Sequence, residues 1–444
     1  MRGNCDKMKE KGGDGLMEKT ALVLGGGGAR GAYEVGVWQA LCELDVPVDI
    51  VTGTSVGALN AAVIAAGSFE SVSALWRNLR TDMVFRIDVD DTLPAKQKVS
   101  AMIKEVLRRY PTQGAMDAAP LKRLLVRYCE EQAVRDSTIR CGIVCVDVSS
   151  GKPFERFCDE IPEGKLHDYL LASSAVFPAV KMRKVEGKLL ADGGYWDNIP
   201  VGLAIRGGAE RIIAVDLDSA FSRRPTIAQA KELKLIRSYW NLGPMLVFDK
   251  EQIGRNIRLG YLDTMKLFSV CEGKAYAFIK GGFAHLAKRN TVRLKALNKA
   301  CGLTFRPHPT QKEALFLARI QGYLSKKYRA PHSLRYVDFL RSCAESAGEI
   351  FGLSPEKIYS PDRFRVRVRE EVEATALPDE MKISGLSVPA IRSAAKLLDL
   401  KVRTVYLGKI LSRAAMEEKP FDLLGLSLVM PEETLAAYYL AFSA

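Results

Sequence analysis

Apolar runs alternate with amphipathic stretches over the first half of the chain. Thr20 to Leu24 is a short apolar run that ends in four glycines, and a helical stripe of apolar residues follows over residues 31–44. Val48 to Val51 then leads into a second glycine-containing turn, and small apolar residues fill positions 58–66. The pattern predicts a strand, a glycine loop and a helix, followed by a second strand, a tight turn and a second helix.

Further strands are predicted before residue 220. Residues 138–148 alternate as in a buried strand, a turn follows, and residues 153–157 suit a hairpin partner. Residues 211–217 form a last apolar run after a pair of glycines. Strands that alternate with helices in this way indicate an α/β fold, with a largely parallel sheet covered on both faces.

The pattern changes to amphipathic helical segments in the second half of the chain, at residues 311–327, 333–351, 388–400 and 404–416. Phe364 to Val372 differs, because arginines alternate there with apolar residues as on an exposed edge strand with a basic contact surface. We therefore predict a disordered leader at residues 1–17, an α/β domain at 18–220 and a mainly helical basic domain of unassigned role at 221–444.

Charge and cysteine content limit the partners and the compartment. The net charge is +13, and residues 221–444 hold 37 Lys and Arg against 22 Asp and Glu. Such an excess suits an anionic membrane surface or nucleic acid, and an ordinary solvated surface fits equally well. The nine scattered cysteines favour a reducing cytosol. The polar start lacks the apolar segment of a secretory signal, and no apolar run is long enough to span a membrane.

Residues 53–57 match the pattern Gly-x-Ser-x-Gly at a predicted strand-to-helix turn. Gly53 and Gly57 permit a sharp turn that lifts the oxygen of Ser55 clear of the backbone, as in a nucleophile elbow. The helix that follows favours negative charge developing beside this serine. On its own the pattern also fits an ordinary structural turn.

The glycine loop at residues 25–28 leads into Ala29, Arg30 and Gly31. Glycines let backbone N–H groups approach a ligand oxygen closely, so the loop can serve as an oxyanion hole. The same glycines satisfy the dinucleotide-binding pattern Gly-x-Gly-x-x-Gly, which requires an acidic residue at the end of the second strand. That strand ends instead in the elbow, with Asp45 and Asp49 before it, which argues against a dinucleotide site.

A nucleophilic serine needs a base, and none of the four histidines lies in a loop at a predicted strand end: His167, His285, His308 and His332. A Ser-Asp-His enzyme of the usual order would need one of the last three. Asp192 offers an alternative, since it follows an apolar run and precedes two glycines that can present its carboxylate to a hydroxyl. Alone, Asp-Gly-Gly is more often a turn.

Taken in order, these three motifs resemble the patatin-like phospholipase family. GGGGARG looks like its oxyanion-hole loop, GTSVGALNA like its elbow, and the Asp-Gly-Gly at residue 192 like its catalytic aspartate motif. ASSAVFP at residues 172–178, DNIPV at 197–201 and the hairpin turn at 147–152 are further matches. The resemblance covers residues 18–220 and implies a three-layer α/β core.

By the same resemblance, Ser55 attacks an ester carbonyl, and Asp192 activates that serine and later a water. The oxyanion is held by backbone N–H groups of the glycine loop, at Gly26, Gly27 and Gly28. Arg30 fits the family pattern and either orients a substrate phosphate or braces the loop. No cofactor and no metal is expected.

The resemblance thus implies a serine-aspartate lipid acyl hydrolase of the phospholipase A or lysophospholipase type. A thioesterase or neutral-lipid lipase with the same dyad, or a membrane-docking scaffold, are the alternatives. We expect a lipid or acyl ester substrate, a cytoplasmic location, and peripheral contact with an anionic inner membrane surface through the basic C-terminal half. Nucleic acid is not expected as a partner.

Overall fold

The computed structural model describes residues 18–67, 69–86, 93, 95–109, 116, 118–219, 230–329, 334–376 and 399–443. The predicted leader at 1–17 lies outside the described residues, as does almost all of the predicted helix at 388–400. The chain divides into two compact units, Met1–Leu267 and Phe268–Ala444. No helix within the described ranges is long and apolar enough to cross a membrane.

An eight-stranded sheet forms the centre of the first unit, in the order β5-β6-β3-β2-β1-β7-β8, with β4 also paired to β3. Its strands are β1 Thr20–Leu24, β2 Ile50–Thr54, β3 Arg140–Asp147, β4 Lys152–Phe157, β5 Arg183–Val185, β6 Lys188–Asp192, β7 Arg211–Asp216 and β8 Glu232–Arg237.

Most neighbouring strands in this sheet are parallel. β1 pairs in parallel with β2 and β7, β2 with β3, and β7 with β8, whereas β4 and β6 run antiparallel to β3, and β5 runs antiparallel to β6. All residues of β1 and β2 are buried, as expected for central strands covered on both faces. The predicted α/β class with a mostly parallel sheet is confirmed.

Ten helices of the first unit are described: α1 Ala32–Glu43, α2 Val56–Ala66, α3 Phe69–Asn78, α4 Thr81–Val84, α5 Ala95–Arg109, α6 Ala119–Tyr128, α7 Glu131–Arg135, α8 Leu166–Ser173, α9 Val201–Arg206 and α10 Lys250–Leu267. α1 and α10 pack closely because each supplies a glycine at the contact. A Cβ on Gly36 would clash with the carbonyl oxygen of Ile257, and one on Gly260 with that of Tyr33. This packing and the pairing of β8 place the end of the first unit at Leu267, beyond the boundary at 220 that the sequence suggested.

The second unit is mainly helical, as predicted, around a small three-stranded sheet in the order β11-β10-β9. Its strands are β9 Cys271–Glu272, β10 Ala277–Ile279 and β11 Ile358–Tyr359. Its described helices are α11 Gly282–Arg289, α12 Thr291–Cys301, α13 Gln311–Lys327, α14 Tyr336–Ile350, α15 Pro361–Glu373, α16 Leu400–Met416, α17 Leu423–Val429 and α18 Pro431–Ser443.

One element of the second unit differs from its prediction. Residues 364–372, expected as an edge strand, belong to helix α15. Ser360 caps the helix by accepting a hydrogen bond from the Arg363 N–H, and a proline stands at its first position. Phe364 and Val368, four residues apart, are buried on one helical face, while Val366 is 52% exposed. The prediction of a strand was wrong. Arginine and apolar residues happen to alternate in this segment, and this alternation hid the helical spacing of four residues between Phe364 and Val368.

Candidate active site

Ser55 stands at the sharp turn between β2 and α2, with φ 56° and ψ −125°. This positive φ is strained for a residue with a side chain and is typical of functional turns. A Cβ on Gly53 would clash with the backbone of residue 57, and a Cβ on Gly57 would clash with the carbonyl oxygen of Leu24. Both glycines of the motif are therefore required for the chain to fold back at this point.

The strained turn at Ser55 is held by a second serine, Ser173, at the end of α8. The Ser55 N–H donates to the Ser173 Oγ at 3.0 Å, and that hydroxyl donates to the carbonyl oxygen of Val144 at 2.6 Å. Ser173 is fully buried. It therefore positions the candidate nucleophile against β3. The ASSA motif was noted in the sequence, but this role of Ser173 was not predicted. The one sequence signal for it is that a polar residue ends an otherwise apolar helix.

Asp192 ends β6 and lies beside Ser55. Its carboxylate is close enough to the Ser55 hydroxyl for the two groups to interact, and its Oδ1 accepts the Gly194 N–H at 2.8 Å. The side chain is buried, and burial raises the pKa of Asp192 to about 6, although the neighbouring Ser55 hydroxyl and the Gly194 N–H both act to lower it. The carboxylate can thus accept a proton from the serine near neutral pH.

The glycine loop is fastened to the segment that follows Asp192. Gly26 donates its N–H to the carbonyl oxygen of Asn198 at 3.1 Å, and the Asn198 Nδ2 donates to the carbonyl oxygen of Gly26, also at 3.1 Å. The same Nδ2 lies 2.9 Å from the Ser219 Oγ. Asn198 is buried, so these bonds hold the loop in one position relative to the elbow.

The amides of Gly27 and Gly28 differ from that of Gly26. Both glycines line the pocket that contains Ser55, and no hydrogen bond from either N–H is made to any residue that the structure describes. Gly28 has a φ of 57°, and a Cβ there would clash with the carbonyl oxygen of Met245, which accepts the Ala29 N–H at 2.6 Å. The loop therefore presents two amides that can donate to a ligand oxygen.

Arg30 extends away from the glycine loop toward neighbouring backbone. Its Nε donates to the carbonyl oxygen of Gly243 at 2.8 Å, and its Nη1 donates to those of Leu217 at 3.2 Å and Asp218 at 2.7 Å. A guanidinium with three backbone carbonyl partners fixes the loop that carries it. Of the two roles considered for this residue, these contacts favour bracing over phosphate binding.

An apolar pocket opens beside Ser55 and Asp192, and both residues line it. The glycines 26–28 also line it, so the structure brings together most of the predicted site residues. Its walls are mainly aliphatic and aromatic, with side chains that include Leu59, Val63, Leu75, Trp76, Leu79, Val84, Phe85, Leu121, Leu124, Leu125, Val176, Val180, Met245, Leu246 and Phe248. Such a lining accommodates a hydrocarbon chain.

A buried polar network that the sequence did not indicate supports one wall of this pocket. The Asn60 Nδ2 donates to the Glu34 Oε2 at 2.7 Å and to the carbonyl oxygen of Gly31 at 3.1 Å, and the Asn60 Oδ1 accepts the Trp76 indole N–H at 2.8 Å. Burial raises the pKa of Glu34 well above the usual carboxyl range. Burial therefore favours the protonated form of this carboxyl group, which links α1, α2 and α3 through Asn60 and Trp76.

None of the described histidines lines the pocket. A ring nitrogen of His167 lies 2.7 Å from the carbonyl oxygen of Cys129, and His285 and His308 belong to the second unit. His332 is outside the described residues. In the described part of the chain, no group of three or more His, Cys, Asp or Glu side chains is arranged to hold a metal ion.

Comparison with known proteins relates this site to one family. The family model described as patatin-like phospholipase matches residues 22–205. Patatin-like phospholipase domain-containing protein 7 of Rattus norvegicus is 30% identical over 204 residues, which are 45% of this chain and 14% of the relative. Protein 6 of the same series from Homo sapiens is 32% identical over 202 residues, 45% of this chain and 13% of the relative.

Lysophospholipase nte1 of Aspergillus terreus is 29% identical over 211 residues, 46% of this chain and 12% of the relative. The chain therefore matches only a small part of the length of these curated relatives. Among solved structures, the crystal structure of VipD from Legionella pneumophila aligns over 95% of this chain and 90% of its own, with a TM-score of 0.34 and 15% identity.

Proposed function

Residues 22–205 form a patatin-like phospholipase domain, and from this premise we propose that the protein hydrolyses lipid carboxylic esters through a dyad of Ser55 and Asp192. The observation that carries the proposal is that the two side chains interact with each other and both line the same apolar pocket. The proposed nucleophile, its proposed base and the two glycines whose amides are unengaged all line the same apolar pocket, which supports this assignment.

In the proposed acylation step, the Ser55 Oγ attacks the ester carbonyl carbon while Asp192 accepts the hydroxyl proton. The carbonyl oxygen becomes negatively charged and is stabilised by the N–H groups of Gly27 and Gly28. We leave Gly26 out of this pair because its N–H already donates to Asn198. Cleavage of the ester C–O bond then returns the proton from Asp192 to the leaving alcohol.

In the proposed deacylation step, a water attacks the acyl-enzyme and gives a proton to Asp192. The bond between the acyl carbon and the Ser55 Oγ breaks, and that oxygen recovers the proton while the fatty acid leaves. The aspartate therefore serves as base and acid in each half of the cycle, and no histidine is needed.

The substrate class follows from the pocket and from the relatives. A cavity lined mainly by aliphatic and aromatic side chains suits an acyl chain, with the ester group at the polar end formed by Ser55 and Asp192. A relative that bears the name lysophospholipase supports a phospholipid or lysophospholipid as the ester. The proposal includes a cytoplasmic location. The support is that the eight described cysteines are buried and that none of them forms a disulfide.

Labelling with a fluorophosphonate and hydrolysis of a water-soluble short-chain ester test this proposal. We expect Ser55→Ala to abolish labelling, and Ser55→Ala and Asp192→Asn each to lower kcat by about 10⁴-fold or more. Ser174→Ala is the matched control, since Ser174 lines the same pocket but donates its hydroxyl to the carbonyl oxygen of Leu170. Retained turnover in either dyad variant would disprove the dyad, and a panel of phospholipids, triglycerides and thioesters identifies the substrate.

A further inference from the structure

Three aromatic side chains are exposed beside the active-site pocket. Phe177, Tyr195 and Trp196 are 39%, 40% and 48% exposed, whereas Trp38 and Trp76 of the same unit are 4% and 2% exposed. Tyr195 also lines the pocket, so it marks where the pocket reaches solvent. Its hydroxyl donates to the carbonyl oxygen of Phe177, which holds these two residues together. We call the three residues the aromatic rim, because single exposed apolar residues are ordinary but a cluster at a pocket mouth is not.

The chain between Phe177 and Tyr195 forms a hairpin of β5 and β6 that carries exposed lysines. Lys181, Lys184 and Lys188 are all exposed, and we call this segment the basic hairpin. Its base is anchored at the dyad, since the Asp192 N–H donates to the carbonyl oxygen of Ala175 at 3.1 Å. The hairpin lysines and the aromatic rim are therefore parts of one continuous segment next to the pocket.

The basic hairpin has an excess of positive charge, since the stretch from Lys181 to Lys188 holds four cationic side chains against one acidic side chain, Glu186. Glu186 at its turn accepts a hydrogen bond from the Tyr169 hydroxyl, and Asp147 lies 3.9 Å from the Lys188 ammonium. Neither of these contacts involves Lys181 or Lys184. The segment that carries the aromatic rim thus also carries exposed positive charge.

We propose that the aromatic rim and the basic hairpin form the surface by which the first unit docks on an anionic lipid bilayer. Tryptophan and tyrosine side chains favour the boundary between lipid headgroups and acyl chains, and lysines near that boundary are attracted to anionic headgroups. Docking in this way places the mouth of the apolar pocket against the bilayer, so an acyl chain enters it without crossing water. This inference rests on the proposed function, and it differs from contact through the C-terminal half.

Sedimentation with vesicles tests the surface, using full-length Ser55→Ala protein so that the lipid is not consumed. The vesicles contain phosphatidylcholine alone or mixed with phosphatidylglycerol. We expect Trp196→Ala to reduce the partition coefficient about tenfold on both kinds of vesicle, because it removes apolar surface. Lys181→Glu combined with Lys184→Glu should reduce it about tenfold or more on the anionic vesicles alone, and added salt should have the same effect.

Two exposed residues of the first unit serve as matched controls. Leu235→Ala removes an exposed apolar side chain from β8, and Lys165→Glu reverses an exposed charge just before α8. Both should bind vesicles like the Ser55→Ala parent. Binding that is unchanged in the Trp196 and lysine variants, or equally reduced in the controls, overturns the inferred surface.

The failure of this inference can be told apart from failure of the proposed function. With Ser55 restored, the Trp196 and lysine variants should hydrolyse a water-soluble short-chain ester at the normal rate. If Ser55 is required for that hydrolysis but the variants bind vesicles normally, the surface is wrong and the dyad stands. If Ser55 is not labelled by a fluorophosphonate but the variants lose vesicle binding, the dyad is wrong and the surface stands.

Discussion

The backbone amides around Ser55 are divided between two tasks. The N–H of Ser55 donates to the Ser173 hydroxyl, and that of Gly26 donates to the Asn198 carbonyl, so both hold the site together. Only amides that make no such bond can donate to a developing oxyanion, which is why the proposal assigns Gly27 and Gly28 to it. The motif identified the glycine loop. It did not show which N–H groups are already engaged, because their partners lie more than 100 residues away in sequence.

The ionisation of Asp192 sets the expected pH dependence of hydrolysis. Only the carboxylate form can accept the Ser55 proton, and burial raises the pKa of Asp192 to about 6. We therefore expect kcat/KM for a water-soluble ester to rise with pH through about 6 and to level off about one unit above it. The measurement is a pH profile of initial rates on the free enzyme.

Asp197 provides the control for this profile, because burial also raises its pKa to about 6. Its Oδ1 accepts the Ile199 N–H at 3.1 Å, a bond that an asparagine can also accept. Asp197→Asn should keep the same rise near pH 6. If Asp197→Asn loses the rise near pH 6, the rise is caused by Asp197 and not by Asp192. If the wild type shows no rise near pH 6, Asp192 is not the base.

Elements were predicted well where a local pattern determines them. β1 has the predicted bounds because five consecutive buried residues are bounded by polar and glycine positions, and α13 likewise matches its amphipathic segment. β8 was missed because three of the six residues in its Glu-Leu-Lys-Leu-Ile-Arg sequence are charged, and its strand form comes from parallel pairing with β7. The match of the family model to residues 22–205 confirms the resemblance inferred from the motifs.

The contact of α1 with α10 gives a prediction about one helix pair. We expect Gly260→Ala to lower the free energy of unfolding by about 3 kcal/mol, since the added Cβ would clash with the Tyr33 carbonyl oxygen inside a close-packed contact. Gly254→Ala in the same helix meets nothing within 4 Å and should be neutral or stabilising by up to about 1 kcal/mol. Denaturant unfolding of the two variants checks this, and equal stabilities would refute the close contact.

At the scale of the whole molecule, the candidate site and the charge lie in different places. The proposed dyad, the glycine loop and the apolar pocket belong to the first unit, whereas most of the basic excess belongs to the second, where residues 268–444 hold 28 Lys and Arg against 18 Asp and Glu. The second unit has its own aromatic core, in which the Phe364 ring lies 5.2, 5.0 and 5.0 Å, centroid to centroid, from Tyr276, Phe278 and Tyr359. A unit with such a core can be perturbed by itself.

Substitutions in α15 test that second core and the helical assignment together. Phe364 is fully buried, so Phe364→Ala should destabilise the second unit by about 3–5 kcal/mol, the usual result of removing a buried phenylalanine. Val366 is 52% exposed, and Val366→Ala should change stability by less than about 0.5 kcal/mol. In an edge strand the two residues would share a face, and both changes would then have similar effects.

Hydrogen exchange followed by mass spectrometry resolves where the stability is lost. In Phe364→Ala, peptides from α14 and from β10 should exchange faster, because their residues contact the aromatic core, while peptides from β1 and β2 keep their protection. Faster exchange in β1 and β2 of equal size would mean that the two units unfold as one. Unchanged protection in α14 would mean that Phe364 does not stabilise the core. That outcome would contradict the structure, in which Phe364 is fully buried.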